Sequence, residues 1–300
     1  MNCPHLCGAQ REQNDYGICN TGREFNIASI FKHHGEEPVL SGTKGICNIF
    51  FSHCNLQCVY CQNYQISDNR NAADPMNLEE VIERVTKILD EGISLVGFVS
   101  PSHMADQVRE IINVLSAKGR KPNYVWNSNG YDRVQTLRSF EDLIDVYLPD
   151  FKYSDAGLGL ALSGVEDYPE KAMKAIREMI RQKGTSIMLN DEGVIESGVI
   201  IRHLVLPGHV ENSKNCLRMI AEEFSASVHI SLMSQYHPVS MLNDHPELQR
   251  TISKDEYEEV QDEFHKLGFF RGWSQELLSE SIYNPDFNNQ KPFVMDDTQQ

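Results

Sequence analysis

Three cysteines lie within eight residues of one another, and their spacing is the strongest chemical feature of the sequence. Cys54, Cys58 and Cys61 form a CxxxCxxC pattern directly after the short apolar segment 46–52. Thiolates at this spacing on one loop can converge on a single iron–sulfur cluster, which normally takes four cysteine ligands. Three local ligands leave one iron open to a substrate or cofactor. A zinc site is the alternative, and it would need a fourth ligand such as His53.

The other five cysteines form one further group and two isolated positions. Cys3, Cys7 and Cys19 lie close together in the sequence. In a chain of this size without the apolar core of a secretory signal, such clustering favours metal binding or redox chemistry over disulfides. A zinc or iron site at these three cysteines would need a fourth ligand. The candidates for it are His5, His33, His34 and Cys47. For Cys47 and Cys216 we favour ordinary burial in a strand and a helix.

Composition and charge limit the class of protein. The 300 residues include 27 Lys and Arg against 43 Asp and Glu, a formal net charge of −16. Phosphate binding needs a basic surface, so we expect no nucleic-acid partner. The sequence has no apolar run of about 18 residues, so we expect no membrane-spanning helix and no membrane association. These features, with no secretory signal, predict a cytoplasmic protein.

Alternating strand-like and helix-like segments begin near residue 45 and must position these cysteines. Strands are predicted at 46–52, 93–99, 122–128, 143–151, 197–206 and 228–234. Helices are predicted at about 78–91, 103–118, 132–140, 169–184, 211–224 and 254–267. Six such units favour a parallel sheet, as an open partial barrel or a doubly wound sheet. In either form, ligands bind at the carboxyl ends of the strands.

The segment around the triplet resembles radical S-adenosylmethionine enzymes, in the subgroup related to pyruvate formate-lyase activating enzyme. The motifs that carry the resemblance are Phe50 to Tyr64, Gly35-Glu36-Glu37-Pro38, Ser41-Gly42, Ile201 to Gly208 and Tyr283 to Phe287. The resemblance implies a partial (β/α)6 barrel, similar to a TIM barrel. We therefore divide the chain into a Cys-rich N-terminal extension (1–44), the barrel (45–268) and a C-terminal tail (269–300).

The resemblance also implies the cofactors. A [4Fe–4S] cluster would be held by Cys54, Cys58 and Cys61, and its open iron would bind the amino and carboxylate groups of S-adenosylmethionine. One electron from the reduced cluster would cleave the sulfonium C–S bond. The resulting 5′-deoxyadenosyl radical would abstract hydrogen from a substrate. The cofactors would thus carry the difficult chemistry, and the protein would position them.

Several cofactor contacts are also implied by the resemblance. The aromatic residue at the position of Tyr60 packs near the adenine. Asp150 and Lys152 resemble an Asp-x-Lys segment whose lysine reaches the cofactor, and His237 matches a Pro-Tyr-His segment. Many relatives have Gly-Gly-Glu at the end of the second strand to bind the methionine amino group. This sequence has Gly97 but not the acid, so the contact would come from backbone groups or Ser100.

Three further residues are candidates because of their own chemistry. Asn127 and Asn129 follow the third predicted strand, where short polar side chains suit ribose hydroxyls or a carboxylate, although they also suit a turn. Arg202 interrupts the most apolar strand. Its planar fork suits a carboxylate ligand, and a buried structural ion pair is the alternative.

Three functions follow from these features. The first is hydrogen abstraction from a backbone glycine of a glycyl-radical enzyme, whose loop would enter the barrel. The second keeps the radical chemistry but acts on a small molecule or another peptide. The third is a non-catalytic zinc-binding interaction protein. The first two imply an electron donor such as a flavodoxin or ferredoxin.

Overall fold

Nine strands run through the described residues and form one sheet. The computed structural model describes residues 2–13, 15–239, 242, 244–277, 285–287, 289 and 292–293. The strands are β1 (Ile27–His33), β2 (Ile46–Phe51), β3 (Leu95–Val99), β4 (Asn123–Ser128), β5 (Val146–Pro149), β6 (Met188–Leu189), β7 (Ile195–Leu204), β8 (His229–Met233) and β9 (Gly272–Ser274). All six predicted strands are present, each within a few residues of its predicted bounds.

Helices alternate with these strands, and the longer ones pack against the outer face of the sheet. They are α1 (Pro38–Ser41), α2 (Tyr64–Ser67), α3 (Leu78–Leu89), α4 (Ala105–Ala117), α5 (Val134–Arg138), α6 (Ala156–Ser163), α7 (Tyr168–Lys183), α8 (Val210–Phe224) and α9 (Lys254–Lys266). Local sequence fixes several helix ends. The Asn77 side chain accepts a hydrogen bond from the Glu80 amide, and Ser253 and Glu256 form a reciprocal capping box that starts α9. All six predicted helices are present, as α3, α4, α5, α7, α8 and α9.

The strand order decides between the two architectures. From β2 to β5, and on through β7, β8 and β9, neighbouring strands are parallel and follow one another in chain order. A doubly wound sheet would reverse its order at a switch point. β1 pairs antiparallel with β2 at one edge, and β6 pairs only with β7. Within the described residues β1 and β9 do not pair with each other, so the partial, open barrel is confirmed.

Two apolar cores hold the barrel together. The larger core lies between the sheet and the helices and includes Trp126, Tyr147 and Ile176. The smaller core consists mainly of residues near the beginnings of the parallel strands, and it fills the barrel interior there. Its buried members are Leu40, Ile46, Leu95, Val125, Val146, Leu148, Ile195 and Ile200. Side chains alternate between the two faces of each strand, which is why neighbours such as Ile46 and Cys47 belong to different cores.

Some elements have weak sequence signals and were not predicted. α6 contains two glycines, which lower helix propensity. It forms because the Asp155 side chain caps its start and Gly164 adopts a left-handed conformation after its end. β1 and β9 lie outside the predicted barrel segment 45–268 yet belong to the sheet, and the division of the chain into three parts stays a prediction. Tyr283 and Asn284 of the quoted C-terminal motif lie outside the described residues. In the part that the structure describes, no helix is both long and apolar enough to cross a membrane.

Candidate functional site

A cavity of about 430 Å³ opens at the carboxyl ends of the parallel strands. The three cysteines of the CxxxCxxC pattern line it together. Most other predicted site residues line it as well. These are Tyr60, Ser100, Asn127, Asn129, Asp150, Lys152, Arg202 and His237. Among the predicted cofactor contacts, Gly97 does not line this cavity. Residues separated by up to 183 positions are thus brought to one site.

The loop that carries the cysteines is folded back on itself by Asn69. The Asn69 side chain accepts a hydrogen bond from the Cys54 amide at 3.0 Å and donates to the Cys54 carbonyl at 2.9 Å. It also donates to the carbonyl of Ile18 at 2.9 Å, which ties the N-terminal extension to the loop. His53 turns the chain with a left-handed φ of 66° and pairs with the carbonyl of Asn71. These contacts fix the position of the first cysteine.

Each of the three thiols has a neutral side-chain donor. Asn129 Nδ2 lies 3.3 Å from Cys54 Sγ, and Ser67 Oγ lies 3.2 Å from Cys61 Sγ. Ser163 Oγ lies 2.9 Å from Cys58 Sγ. Burial raises the pKa of Cys54 to about 12 and also raises the pKa of Cys58. Cysteines bind iron as thiolates, so both groups must be deprotonated when they hold the metal.

This donor set fits an iron–sulfur cluster. Across the described residues, no three His, Cys, Asp or Glu side chains are grouped tightly enough to hold one metal ion. Zinc needs all its ligands within about 2.0–2.3 Å of one point. A cubane offers a separate iron to each thiolate, which suits three thiols of one loop that line the same cavity. Hydrogen bonds to the sulfurs are also a usual feature of such sites.

Arg202 is held by two carboxylates of the protein itself. Its Nε and Nη2 donate to the two oxygens of Glu37 at 2.8 and 2.6 Å, and Nη2 also bonds Glu36. All three residues line the cavity and are largely buried. Burial would raise the pKa of Glu36, but Arg202 holds it below its usual range. Of the two expectations for Arg202, the structure therefore shows the buried ion pair.

Asp150 and Lys152 form a second ion pair at the cavity. Lys152 Nζ donates to Asp150 Oδ2 at 2.5 Å, and both side chains are at least four-fifths buried. Burial alone would lower the pKa of Lys152, but the Asp150 carboxylate outweighs it and raises that pKa. The lysine is therefore charged and faces the same space as the cysteines. His237 also lines the cavity, and its Nδ1 lies 2.9 Å from the carbonyl of Pro238.

Gly97 has a different role from the one expected. It stands opposite Asn48 in the β2–β3 pairing, and a Cβ atom at Gly97 would lie only 2.2 Å from Asn48 Oδ1. The absence of a side chain lets Asn48 turn so that its Nδ2 donates to Glu36 Oε1 at 2.7 Å. Gly97 therefore supports the Glu36–Arg202 network rather than lining the cavity. Ser100 does line it, in a left-handed conformation with a φ of 55°.

The two asparagines differ in how their side chains are used. Asn127 Oδ1 accepts a hydrogen bond from Arg202 Nη1 at 3.3 Å and so joins the ion-pair network. Asn129 Nδ2 donates to Asn55 Oδ1 at 2.8 Å as well as to Cys54 Sγ, and Asn129 Oδ1 accepts from the Tyr131 amide. Asn129 therefore supports the cysteine loop and also forms the turn that its sequence suggests.

The N-terminal cysteines share a separate cavity of about 280 Å³. Cys3, Cys7 and Cys19 line it together with His5. His5 Nε2 lies 2.7 Å from the carbonyl of Asn55, so this region touches the cysteine loop. No metal-holding group of three such side chains was found in the described ranges, and a metal at this second site stays a prediction. Cys47 and Cys216 are fully buried in β2 and α8, as expected.

Sequence reasoning missed several residues of the site. Glu36 and Glu37 belong to the Gly35-Glu36-Glu37-Pro38 motif. Two adjacent acids shortly before the apolar strand 46–52 could have indicated a partner for a buried basic residue. Ser163 lies 105 positions from its cysteine partner, in a helix without a clear signal. Trp273 reaches the cavity from the short strand β9, which was not predicted. For these two residues no local pattern indicates the contact.

Comparison with known proteins agrees with this geometry. The model of the radical SAM superfamily matches residues 48–220. An uncharacterized protein of Methanocaldococcus jannaschii is 30% identical over 267 residues, which cover 86% of this chain and 72% of that protein. The match to the family model includes all three cysteines of the triplet.

Solved structures share the fold at low sequence identity. The [FeFe]-hydrogenase maturase HydG is 14% identical, with a TM-score of 0.51 over 74% of this chain and 49% of that one. Streptococcus suis SuiB, bound to its precursor peptide SuiA, is 14% identical, with a TM-score of 0.51 over 76% and 48%. Methylornithine synthase is 18% identical, with a TM-score of 0.51 over 73% and 61%. The chain spans about half the length of the first two. With the family match and the cavity that the cysteines line, these findings establish that the chain belongs to the radical SAM superfamily of enzymes, which use a [4Fe–4S] cluster and S-adenosylmethionine.

Proposed function

We propose that this protein is a radical S-adenosylmethionine enzyme of the activating-enzyme type, which abstracts hydrogen from a backbone glycine of a glycyl-radical enzyme. The observation that carries the proposal is the position of Cys54, Cys58 and Cys61 on the wall of the cavity at the carboxyl ends of the strands. The quoted motifs, which resemble pyruvate formate-lyase activating enzyme, favour this subgroup.

The cysteine triplet would hold the cluster, and the remaining cavity residues would hold the cofactor. When bound, these groups supply one-electron cleavage of a sulfonium C–S bond, which generates a carbon radical able to abstract hydrogen. Lys152 presents a buried positive charge to the cavity, balanced by Asp150. Tyr60 and Tyr236 line the cavity with ring centroids 6.2 Å apart and would contribute ring edges to a nucleoside site. The smaller apolar core lies below the cavity and excludes water from the barrel interior near the beginnings of the parallel strands.

The size of the cavity is compatible with a substrate that reaches it from outside. Ligand pockets usually measure about 300–1,000 Å³, so a cavity of about 430 Å³ is small within that range. A nucleoside cofactor would occupy part of this space, and a substrate would then approach through the mouth. A flexible loop with an exposed glycine suits that approach. The peptide-bound SuiB structure indicates that this fold can accept another peptide, and we retain that alternative together with a small molecule.

An electron donor and a reducing compartment complete the proposal. The cluster must receive one electron for each cleavage, and a flavodoxin or ferredoxin is the kind of protein that supplies it. All eight cysteines are free, as the reducing cytoplasm requires, and we place the enzyme there.

Deuterium transfer tests the proposed substrate. A glycyl-radical enzyme encoded in the same genome would be labelled with deuterium at the α-carbon of glycine. It would then be mixed anaerobically with the reconstituted enzyme, dithionite and S-adenosylmethionine. We expect deuterium in 5′-deoxyadenosine and a glycyl radical signal in the electron paramagnetic resonance spectrum. If 5′-deoxyadenosine forms without deuterium, the substrate is another peptide or a small molecule. A purified protein that contains stoichiometric zinc and lacks visible absorption would instead support the zinc-binding interaction protein.

A further inference from the structure

We propose that Ser163 is a positioning residue that stabilises the Cys58 thiolate in the cluster site, and that two buried tyrosines strengthen its hydrogen bond. Through this bond Ser163 would make the cluster easier to reduce. The proposal rests on the cluster that family membership implies and does not depend on the identity of the substrate.

A continuous row of hydroxyl groups leads to Cys58. The hydroxyls of Tyr60 and Tyr153 lie 2.7 Å apart, and Tyr153 OH lies 2.6 Å from Ser163 Oγ. Ser163 Oγ in turn lies 2.9 Å from Cys58 Sγ. Tyr60, Tyr153 and Ser163 are all at least 94% buried, so water does not compete for these bonds.

A thiolate ligand sets the direction of the bond from Ser163, and Tyr153 also lies within hydrogen-bonding reach of the Cys58 sulfur. The thiolate has no proton, so Ser163 must donate to Cys58. Each hydroxyl has one proton, so Tyr153 donates either to Ser163 or to the sulfur itself, and it accepts from Tyr60. All three O–H groups therefore point towards the sulfur. Aligned hydrogen bonds in a dry interior polarise one another, which strengthens the last bond to the charged group.

The backbone holds Ser163 in place for this contact. Ser163 is the last residue of α6, and the preceding carbonyl of Leu162 accepts a hydrogen bond from the Val59 amide at 2.9 Å. Val59 follows Cys58 directly, so this hydrogen bond holds the end of α6 beside the cysteine loop. Ser67 and Asn129 donate to the other two thiols, but no comparable row of buried hydroxyls stands behind either of them in the described residues. Cys58 is therefore the ligand at which a single substitution should have a clear effect.

The proposal is tested by the redox state of the loaded cluster. The reconstituted protein would be equilibrated anaerobically with mediators at one solution potential, and the reduced cluster measured by electron paramagnetic resonance. The bond is stronger to the reduced, more negative cluster than to the oxidised one, so Ser163→Ala should lower the reduced-to-oxidised ratio, by roughly two- to tenfold if that difference is about the size of one ordinary hydrogen bond. Tyr153→Phe keeps the serine donor and should lower the ratio less. Ser163→Thr keeps the hydroxyl and should restore the wild-type ratio.

Iron content and a matched control separate this role from a structural one. Ser213 in α8 is equally buried, and its Oγ has no hydrogen-bond partner among the described residues, so Ser213→Ala should leave the ratio unchanged. A fully loaded Ser163→Ala protein with the wild-type ratio would overturn the proposal. If a fully loaded Tyr153→Phe protein has the wild-type reduced-to-oxidised ratio, the tyrosines do not strengthen the hydrogen bond from Ser163. A wild-type protein that binds no iron would contradict the cluster itself, and that result is recognised before any variant is compared.

Discussion

The guanidinium group of Arg202 donates two parallel hydrogen bonds to the Glu37 carboxylate, at 2.8 and 2.6 Å. This is the geometry in which arginine binds a free carboxylate most strongly. The Glu37 carboxylate takes up the Nε and Nη2 donors of Arg202. Arg202 therefore anchors the segment before α1 to the wall of the cavity. The two residues are 165 positions apart, and their pairing closes one side of the site.

Removal of Arg202 should therefore destabilise the protein strongly. Arg202→Ala leaves Glu36 and Glu37 buried without their partner, and losing one member of a buried ion pair costs about 3–5 kcal/mol. The free energy of unfolding, measured with denaturant, checks this value. Arg84→Ala is the control, since its ion pair with Glu80 is exposed and should contribute less than about 1 kcal/mol. Equal losses in the two variants would contradict the anchoring role.

Gly97→Ala should also reduce stability, because the new methyl group would collide with Asn48. Overpacking of this kind costs about 1–3 kcal/mol. Asn48→Ala in the same background removes the collision, so the double variant should lose less stability than the sum of the two single variants. Gly157→Ala, in the first turn of α6, is the matched control: the nearest neighbour of its new Cβ atom would be Asp155 Oδ1 at 3.1 Å, so it should lose less stability than Gly97→Ala. Strict additivity of the two single effects would show that Asn48 is not the reason for the glycine.

Two buried histidines should make stability depend on pH. Burial lowers the pKa of His103 and of His203 to about 4, and each ring has one nitrogen paired with a backbone carbonyl. The unfolded chain takes up these protons below about pH 6.5, whereas the folded protein does so only near pH 4. Stability is therefore complete above pH 6.5 and is lost as the pH falls towards 4.

His203→Gln checks this dependence. Between pH 7 and pH 5 the wild-type protein should lose about 2 kcal/mol for each histidine, and the variant should lose about 2 kcal/mol less than the wild type. Free energies of unfolding at the two pH values provide the comparison. A slope in the variant as steep as in the wild type would contradict the assignment to His203.

The sequence predicted the barrel well because its strands and helices have strong periodic patterns and clear caps, such as Asn77 and Ser253. It also predicted most residues of the cavity, since the carboxyl ends of parallel strands must meet at one edge. The contact of Gly97 with Asn48 was not predicted, because a single strand does not reveal its cross-strand neighbour. The contact of Ser163 with Cys58 was not predictable, because it depends on how a glycine-containing helix packs against a loop 105 residues away.

Cleavage of S-adenosylmethionine tests the central claim most directly. The wild-type protein would be reconstituted anaerobically with iron and sulfide, reduced with dithionite and assayed for 5′-deoxyadenosine. The comparison uses Cys58→Ser and, as the matched control, Cys216→Ser, whose thiol is buried in α8 away from the cavity. We predict 5′-deoxyadenosine from the wild type and Cys216→Ser and none from Cys58→Ser. A loaded wild-type protein that forms no 5′-deoxyadenosine, or a Cys58→Ser variant as active as the wild type, would contradict the account.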